Sequence, residues 1–298
     1  MKPHAVFVFL PSRHRKEDIM QKVKRRLIIT LIILAIITAL YAWGFAMKPV
    51  YYDVRTDKLD TEIRVVFISD LHNCYYEDKK QSKLIEAVNK NEPDIVIIGG
   101  DVVDAWGGDQ HAVKLVTELS KSYPCFYTPG NHEEMRKDKK EFYKKISSIC
   151  PMLTGNYEQL TVKGQDIRIY GVIDNYTAGK HGTQLNECFA SLDENYYNIL
   201  IAHQPEQINS YLASDRSEGK YFDLVLSGHA HGGQWRLPYI LDQGLYAPDQ
   251  GILPDYTSGM YEYDETVHII SRGLARPARM IFIPRIFNRP ELSVINIG

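Results

Sequence analysis

From Ile63 onward the chain switches between two hydrophobic periods. Five short runs rich in β-branched and aromatic residues, "IRVVFISD", "DIVIIGGD", "CFYTPGNHE", "YNILIAHQ" and "FDLVLSGHAH", read as buried strands, each ending in polar residues. Between them the apolar positions change to helical spacing, as with Ala112, Leu115, Val116 and Leu119, and again with Phe142, Ile146 and Ile149. Strands alternating with helices predict an α/β layered fold. The carboxyl-terminal runs "GMYEYDETVHIISRG" and "ELSVINI" lack long helices between them, which predicts antiparallel additions to the sheet. No repeat, low-complexity tract or Gly/Ser-rich linker interrupts this region, so residues 48–298 read as one domain.

One apolar run has no polar face. Leu27 to Met47 holds 21 residues without a charge, enough at about 1.5 Å per residue to cross a hydrocarbon core of roughly 30 Å. The expectation is a transmembrane helix over 27–47, preceded by a basic cytoplasmic segment over 1–26. Lys22, Lys24, Arg25 and Arg26 place that segment inside, making 48–298 extracytoplasmic in a single-pass cell-membrane protein. The paired arginines of "RRLII" and the small residues near Gly44 and Ala46 offer an alternative, export by a twin-arginine-type signal.

Charge adds to this picture. Residues 1–26 carry eight Lys and Arg against two Asp and Glu, leaving the remainder with 27 basic and 35 acidic residues, a net of −8. An acidic body argues against nucleic acid as a partner, because binding it needs basic surface to displace counterions. The four cysteines, Cys74, Cys125, Cys150 and Cys188, show no C-x-x-C spacing and predict no disulfide framework.

The strand endings carry the chemistry. They supply Asp70 and His72, then Asp101 and Asp104, then Asn131, His132 and Glu133, then His203, and finally His229 and His231. Ligands of open α/β sheets bind beyond the carboxyl ends of strands, so these groups can converge on one site. Imidazole and carboxylate together point to a transition metal, and glycines such as Gly100 and Gly130 permit the tight strand exits.

In order along the chain, the blocks "DLH", "GDVVD", "GNHE", "AHQP" and "GHAH" resemble those of the calcineurin-like metallophosphoesterases. "GGQWRLP", "SRGL" and "FNRPEL" are similar in texture to a membrane-associated bacterial phosphodiesterase subgroup. The resemblance implies a layered αββα metallophosphoesterase sandwich, here preceded by the transmembrane helix, and a site holding two divalent metal ions. One ion would be held by Asp70, His72, Asp101 and His231, the second by Asp101, Asn131, His203 and His229. A carboxylate has two oxygens, which suits Asp101 to the shared position, and mixed oxygen and nitrogen ligands suit manganese, iron or zinc. His132 is implied as a catalytic group outside the ligand set that protonates the leaving alkoxide. Asp104 is implied as its hydrogen-bonding carboxylate.

The expected function is a membrane-anchored, dinuclear-metal-dependent phosphoesterase acting on a phosphodiester or pyrophosphate bond, with a lipid-linked or cell-envelope substrate favoured by the membrane-proximal placement. Two other classes compete: a metal-dependent hydrolase of non-phosphate esters or amides, and a non-catalytic metal-binding protein. No H-E-x-x-H motif supports an amide hydrolase, and a pure binding scaffold has no chemical need for Asp104 and His132.

Overall fold

The computed structural model describes residues 13–44, 46–174, 179–212, 219–276 and 285–298. Two compact units are present, Met1–Trp43 and Gly44–Gly298.

In the first unit the described backbone is helix α1 (Arg13–Gly44). The expected membrane span is overturned: among the described residues no helix is long and apolar enough to cross a membrane. The first half of α1 carries nine Asp, Glu, Lys or Arg residues between Arg13 and Arg26. Within the uncharged run the described side chains are those of Leu27 to Ala39. Residues 40–43 and Phe45, also part of the expected span, have side chains outside the described residues. The single-pass topology and the extracytoplasmic placement inferred from the span fall with it.

The second unit begins with β1 (Lys48–Val54) and β2 (Ile63–Ile68), followed by α2 (Ser82–Lys90), β3 (Ile95–Ile98), α3 (Gln110–Leu119) and β4 (Cys125–Tyr127). A single turn of helix, α4 (Asn131–Met135), leads to α5 (Lys139–Ser147). The second half holds β5 (Tyr157–Val162), β6 (Gln165–Val172), α6 (Lys180–Ala190), β7 (Tyr197–Ala202), α7 (Ile208–Tyr211) and β8 (Leu224–Ser227). Short β9 (Tyr246–Ala247) and β10 (Gly251–Ile252) form a hairpin, and β11 (Gly259–Tyr263), β12 (Thr266–Ile270) and β13 (Glu291–Ile297) follow.

Two sheets result, one in the order β1-β13-β2-β3-β4 and the other β11-β12-β8-β7-β6-β5. The central strands β2, β3 and β4 run parallel, as do β6, β7, β8 and β12. Antiparallel pairing enters with the β5–β6 and β11–β12 hairpins and with β13 against β2, although β13 is parallel to β1 on its other side.

Each sheet packs on the other and on helices. Val65, Phe67, Ile95 and Ile97 of the first sheet share a fully buried core with Ile167, Ile199, Ile201 and Leu226 of the second. The alternate residues of the first sheet, including Val66, Ile68, Val96 and Ile98, bury Leu84, Leu115, Val116, Phe142 and Ile146 from α2, α3 and α5. On the far side, Tyr170, Leu200 and Val225 cover Leu185, Phe189 and Ile208. The order of layers is therefore helix, sheet, sheet, helix. Strands buried on both faces explain the near-continuous apolar runs of the sequence. All four cysteines are buried, and none is joined in a disulfide among the described residues.

Candidate metal centre

The parallel strands β2, β3, β7 and β8 and the short strand β4 deliver their carboxyl ends to one place. Backbone hydrogen bonds stitch these ends together: Asp70 N–H to Gly100 O at 3.0 Å, His72 N–H to Asp101 O at 2.9 Å, and Gly228 N–H to His203 O at 3.0 Å. The approach is close enough to require glycine. A Cβ on Gly100 would lie 2.5 Å from Gly130 N, and one on Gly130 would lie 2.4 Å from Asp101 Oδ1. Asp70, His72, Asp101, His229 and His231 all take left-handed backbone, with φ between 48° and 65°. Such positions cost energy and persist where the surroundings impose them, commonly at functional sites.

The side chains form two groups. Asp70, His72 and His231 bring donor atoms within 4.8 Å of one another, and so do Asp101, His203 and His229. Asp101 also joins His72 and His132 in a third such group, so it stands between the first two. Its Oδ2 is 3.2 Å from His203 Nε2 and 3.6 Å from His72 Nε2. Asn131 Oδ1 lies 3.1 Å from His229 Nδ1, adding an oxygen to the second group. The structure thus brings together all seven residues expected to hold metal.

Electrostatics fit cations there. Asp70 and Asp101 are fully or almost fully buried, and Asp70 Oδ2 has no hydrogen-bond partner among the described residues. His203 Nε2 faces Asp101 in a geometry that makes no hydrogen bond. A buried carboxylate oxygen without a donor is costly unless a cation completes it. Burial, then the neighbouring His72 and Arg285, hold His231 well below its ordinary pKa, which keeps it in the neutral form that ligates. The His and Asp groups fit a dinuclear divalent metal site.

Of the two expected catalytic residues, Asp104 takes a partner other than the one implied. Asp104 Oδ1 is 2.9 Å from His72 Nδ1 but 3.7 Å from His132 Nδ1, so its hydrogen bond goes to the expected ligand His72. His132 is partly exposed, and its Nδ1 accepts the Ala105 N–H at 3.3 Å, leaving Nε2 as the protonated nitrogen. Burial lowers its pKa, against the pull of Asp101. Arg236 donates to Ser258 Oγ at 2.7 Å and to Gly232 O at 3.1 Å, while Gln234 is buried. Arg272 faces Glu291 at 3.6 Å, and Arg279 lies outside the described residues.

Glu133 has the clearest structural task. Its carboxylate accepts the N–H groups of Asp101 and Val102 at 2.8 Å, Val103 at 3.2 Å and Gly130 at 2.9 Å, and the Tyr127 hydroxyl at 2.8 Å. The Gly130 bond is the capping-box contact that starts α4 and sets the direction of Asn131. Burial, and then the Asp101 charge, push the Glu133 pKa up to about 7 against these donors. Glu133→Gln would turn an amide N–H₂ toward buried donors, and we expect a loss of about 2–4 kcal/mol in unfolding free energy by denaturant titration. A loss below about 0.5 kcal/mol, the size of an ordinary surface substitution, would contradict this role.

A layered fold with His and Asp groups sharing one carboxylate defines the class, a dimetal centre at the strand ends of an αββα sandwich. Residues 63–233 match the family model described as calcineurin-like phosphoesterase, and the chain belongs to that family. An uncharacterized metallophosphoesterase of Helicobacter pylori is 30% identical over 236 residues, covering 76% of this chain and 56% of its own length. The chain thus spans little more than half of that relative. The uncharacterized metallophosphoesterase YkuE of Bacillus subtilis is 26% identical over 242 residues, 78% of each chain. Among solved structures, the NAD nucleotidase of Haemophilus influenzae aligns with a TM-score of 0.47 at 15% identity, over 72% of this chain and 46% of that one.

Proposed function

We propose that the chain is a dinuclear-metal-dependent phosphoesterase that cleaves a phosphodiester or pyrophosphate bond. The observation carrying this reading is the placement of Asp101 between two His and Asp donor groups. Asp70, His72, His231 and Asp101 would hold one divalent ion, and Asp101, Asn131, His203 and His229 the other. Such a pair supplies Lewis acidity at phosphorus and a nucleophilic water at neutral pH. Manganese, iron and zinc suit these ligands.

The chain's own groups do the rest. Asp104 holds His72 through Nδ1 and so directs Nε2 inward. His132, fixed to Asp101 Oδ1 by its backbone N–H at 2.8 Å, offers its imidazole to the charge developing on the leaving oxygen. A cleft of about 490 Å³ opens beside Asn131 and His229. It offers room for one substituent of the substrate beyond the reacting phosphoryl. The lipid-linked substrate rested on a membrane-proximal placement and loses its support with it.

Loading the metal-free protein with manganese, iron or zinc and assaying a phosphomonoester, a phosphodiester, a pyrophosphate and an acetate ester tests the reading. We expect diester or pyrophosphate turnover that chelation abolishes and metal restores. Turnover of the monoester alone would reverse the preference. Turnover confined to the acetate ester would sink the phosphoesterase assignment.

A further inference from the structure

We propose that Asp249, which lies outside all five sequence blocks, is a positioning residue that holds the His229 imidazole for the second ion; this rests on the dinuclear reading above. The His229 ring has its two nitrogens in different surroundings. Nδ1 lies 3.1 Å from Asn131 Oδ1, on the side of the second donor group, while Nε2 lies 2.8 Å from Asp249 Oδ2. His229 is 3% exposed, so its ring has little freedom to take another partner.

Two of the other three rings, those of His72 and His203, likewise turn one nitrogen outward to an oxygen. His72 turns Nδ1 to the Asp104 carboxylate at 2.9 Å and Nε2 toward Asp101. His203 turns Nδ1 to the Gly99 carbonyl at 2.7 Å and Nε2 toward Asp101. A metal-binding imidazole whose outer N–H is fixed by an oxygen has its tautomer and ring plane set, and its basicity raised. Asp249 does for His229 what Asp104 does for His72.

A separate excursion of the chain delivers this carboxylate. Asp249 occupies the turn between β9 and β10, in left-handed backbone with φ 57°. The base of the excursion is fastened to the histidine-bearing turn, where Leu245 N–H bonds Gly233 O at 2.9 Å. Gly233 and Gly244 approach so closely that a Cβ on Gly233 would lie 2.7 Å from Gly244 Cα. Gln204, next to His203, adds a weaker amide contact to Asp249 Oδ2 at 3.4 Å. The turn is thereby registered against the ring it serves.

The same neighbourhood admits one rival. Glu206, His229 and Asp249 place donor atoms within 4.8 Å of one another and could together hold a further ion. His229 would then have to bind through both nitrogens.

The test is calorimetric titration of the full-length metal-free protein with zinc or manganese, comparing wild type with Asp249→Asn, Asp249→Ala, Asp249→Glu and, as a control on the same excursion, Ile252→Ala. We expect two ions in the wild type. Asn and Ala should weaken one of them by about 10- to 100-fold and leave the other unchanged. The Glu variant should recover part of the loss, Ile252→Ala should behave as wild type, and the melting temperature of the metal-free variants should stay level. Unchanged affinities in Asp249→Asn and Asp249→Ala overturn the proposal while leaving the dinuclear reading intact. Three ions in the wild type and two in the variants would make Asp249 a ligand, which also overturns it. A wild type that binds fewer than two ions removes the dinuclear reading itself, and the proposal with it.

Discussion

Asp101→Asn is expected to empty both ion positions and to lower phosphoester hydrolysis on the order of 10³-fold, since losing a single electrostatic contact to a transition state already costs about 10²–10³. The carboxylate is 1% exposed and stands 3.2 Å from His203 Nε2 and 3.6 Å from His72 Nε2. Burial opposes its charge, but His203 and His72 hold its pKa well below the ordinary carboxylate range. Asparagine nearly preserves the volume and keeps an oxygen able to accept the His132 N–H. It removes the charge both ions would share. Metal analysis after gel filtration, together with turnover of a phosphodiester, reads the outcome. Two retained ions with normal turnover would mean that Asp101 is not shared.

His132→Ala should instead keep both ions and lose about 10²–10⁴ in turnover of esters with poor leaving groups, the usual range for general-acid losses. The side chain is absent from both ligand groups assigned above; its Nδ1 accepts the Ala105 N–H and lies 3.7 Å from Asp104, and its ring stands edge-on to that of His72 with centroids 4.5 Å apart. A p-nitrophenyl ester, whose leaving group needs little protonation, should suffer much less. Equal losses on both kinds of ester, or loss of an ion, would assign His132 to metal binding or to the structure of the site.

The strands that build the centre were readable because each is buried on both faces and breaks abruptly into polar residues. Helix α3 was equally plain, as Ala112, Leu115, Val116 and Leu119 all face the core. Strand β5 escaped because "YEQLTV" is a largely exposed edge strand in which only Leu160 and Val162 pack on the core. Strand β1 escaped for another reason: its pairing partner β13 lies at the far end of the chain. The run from Leu27 misled because absence of charge was counted over 21 residues, while the helix that contains it opens with nine charged residues between Arg13 and Arg26.

Within the centre, the ligand types were visible because they fall in ordered blocks at strand ends. Their outer partners were not. Asp104 lies close to both His72 and His132, and only the ring orientations decide which it serves. Asp249 sits in "YAPDQG", which reads as an ordinary turn, and reaches His229 through tertiary packing that local pattern does not encode. Glu133 was visible as a residue, but its work as an acceptor for three consecutive backbone N–H groups depends on a loop from another strand.

The left-handed backbone at Asp70, His72, Asp101, His229 and His231 narrows the alphabet from which this centre could have been spelled. Apart from glycine, the residues that enter that region most readily are asparagine, aspartate and histidine. Those are also the ligand types found here, so conformation and coordination select the same side chains twice over. Cysteine or glutamate could bind a cation by chemistry alone, yet neither shares that backbone preference. Sequence drift at these positions therefore has few exits, and the easiest, glycine, relaxes the chain while abandoning the ion.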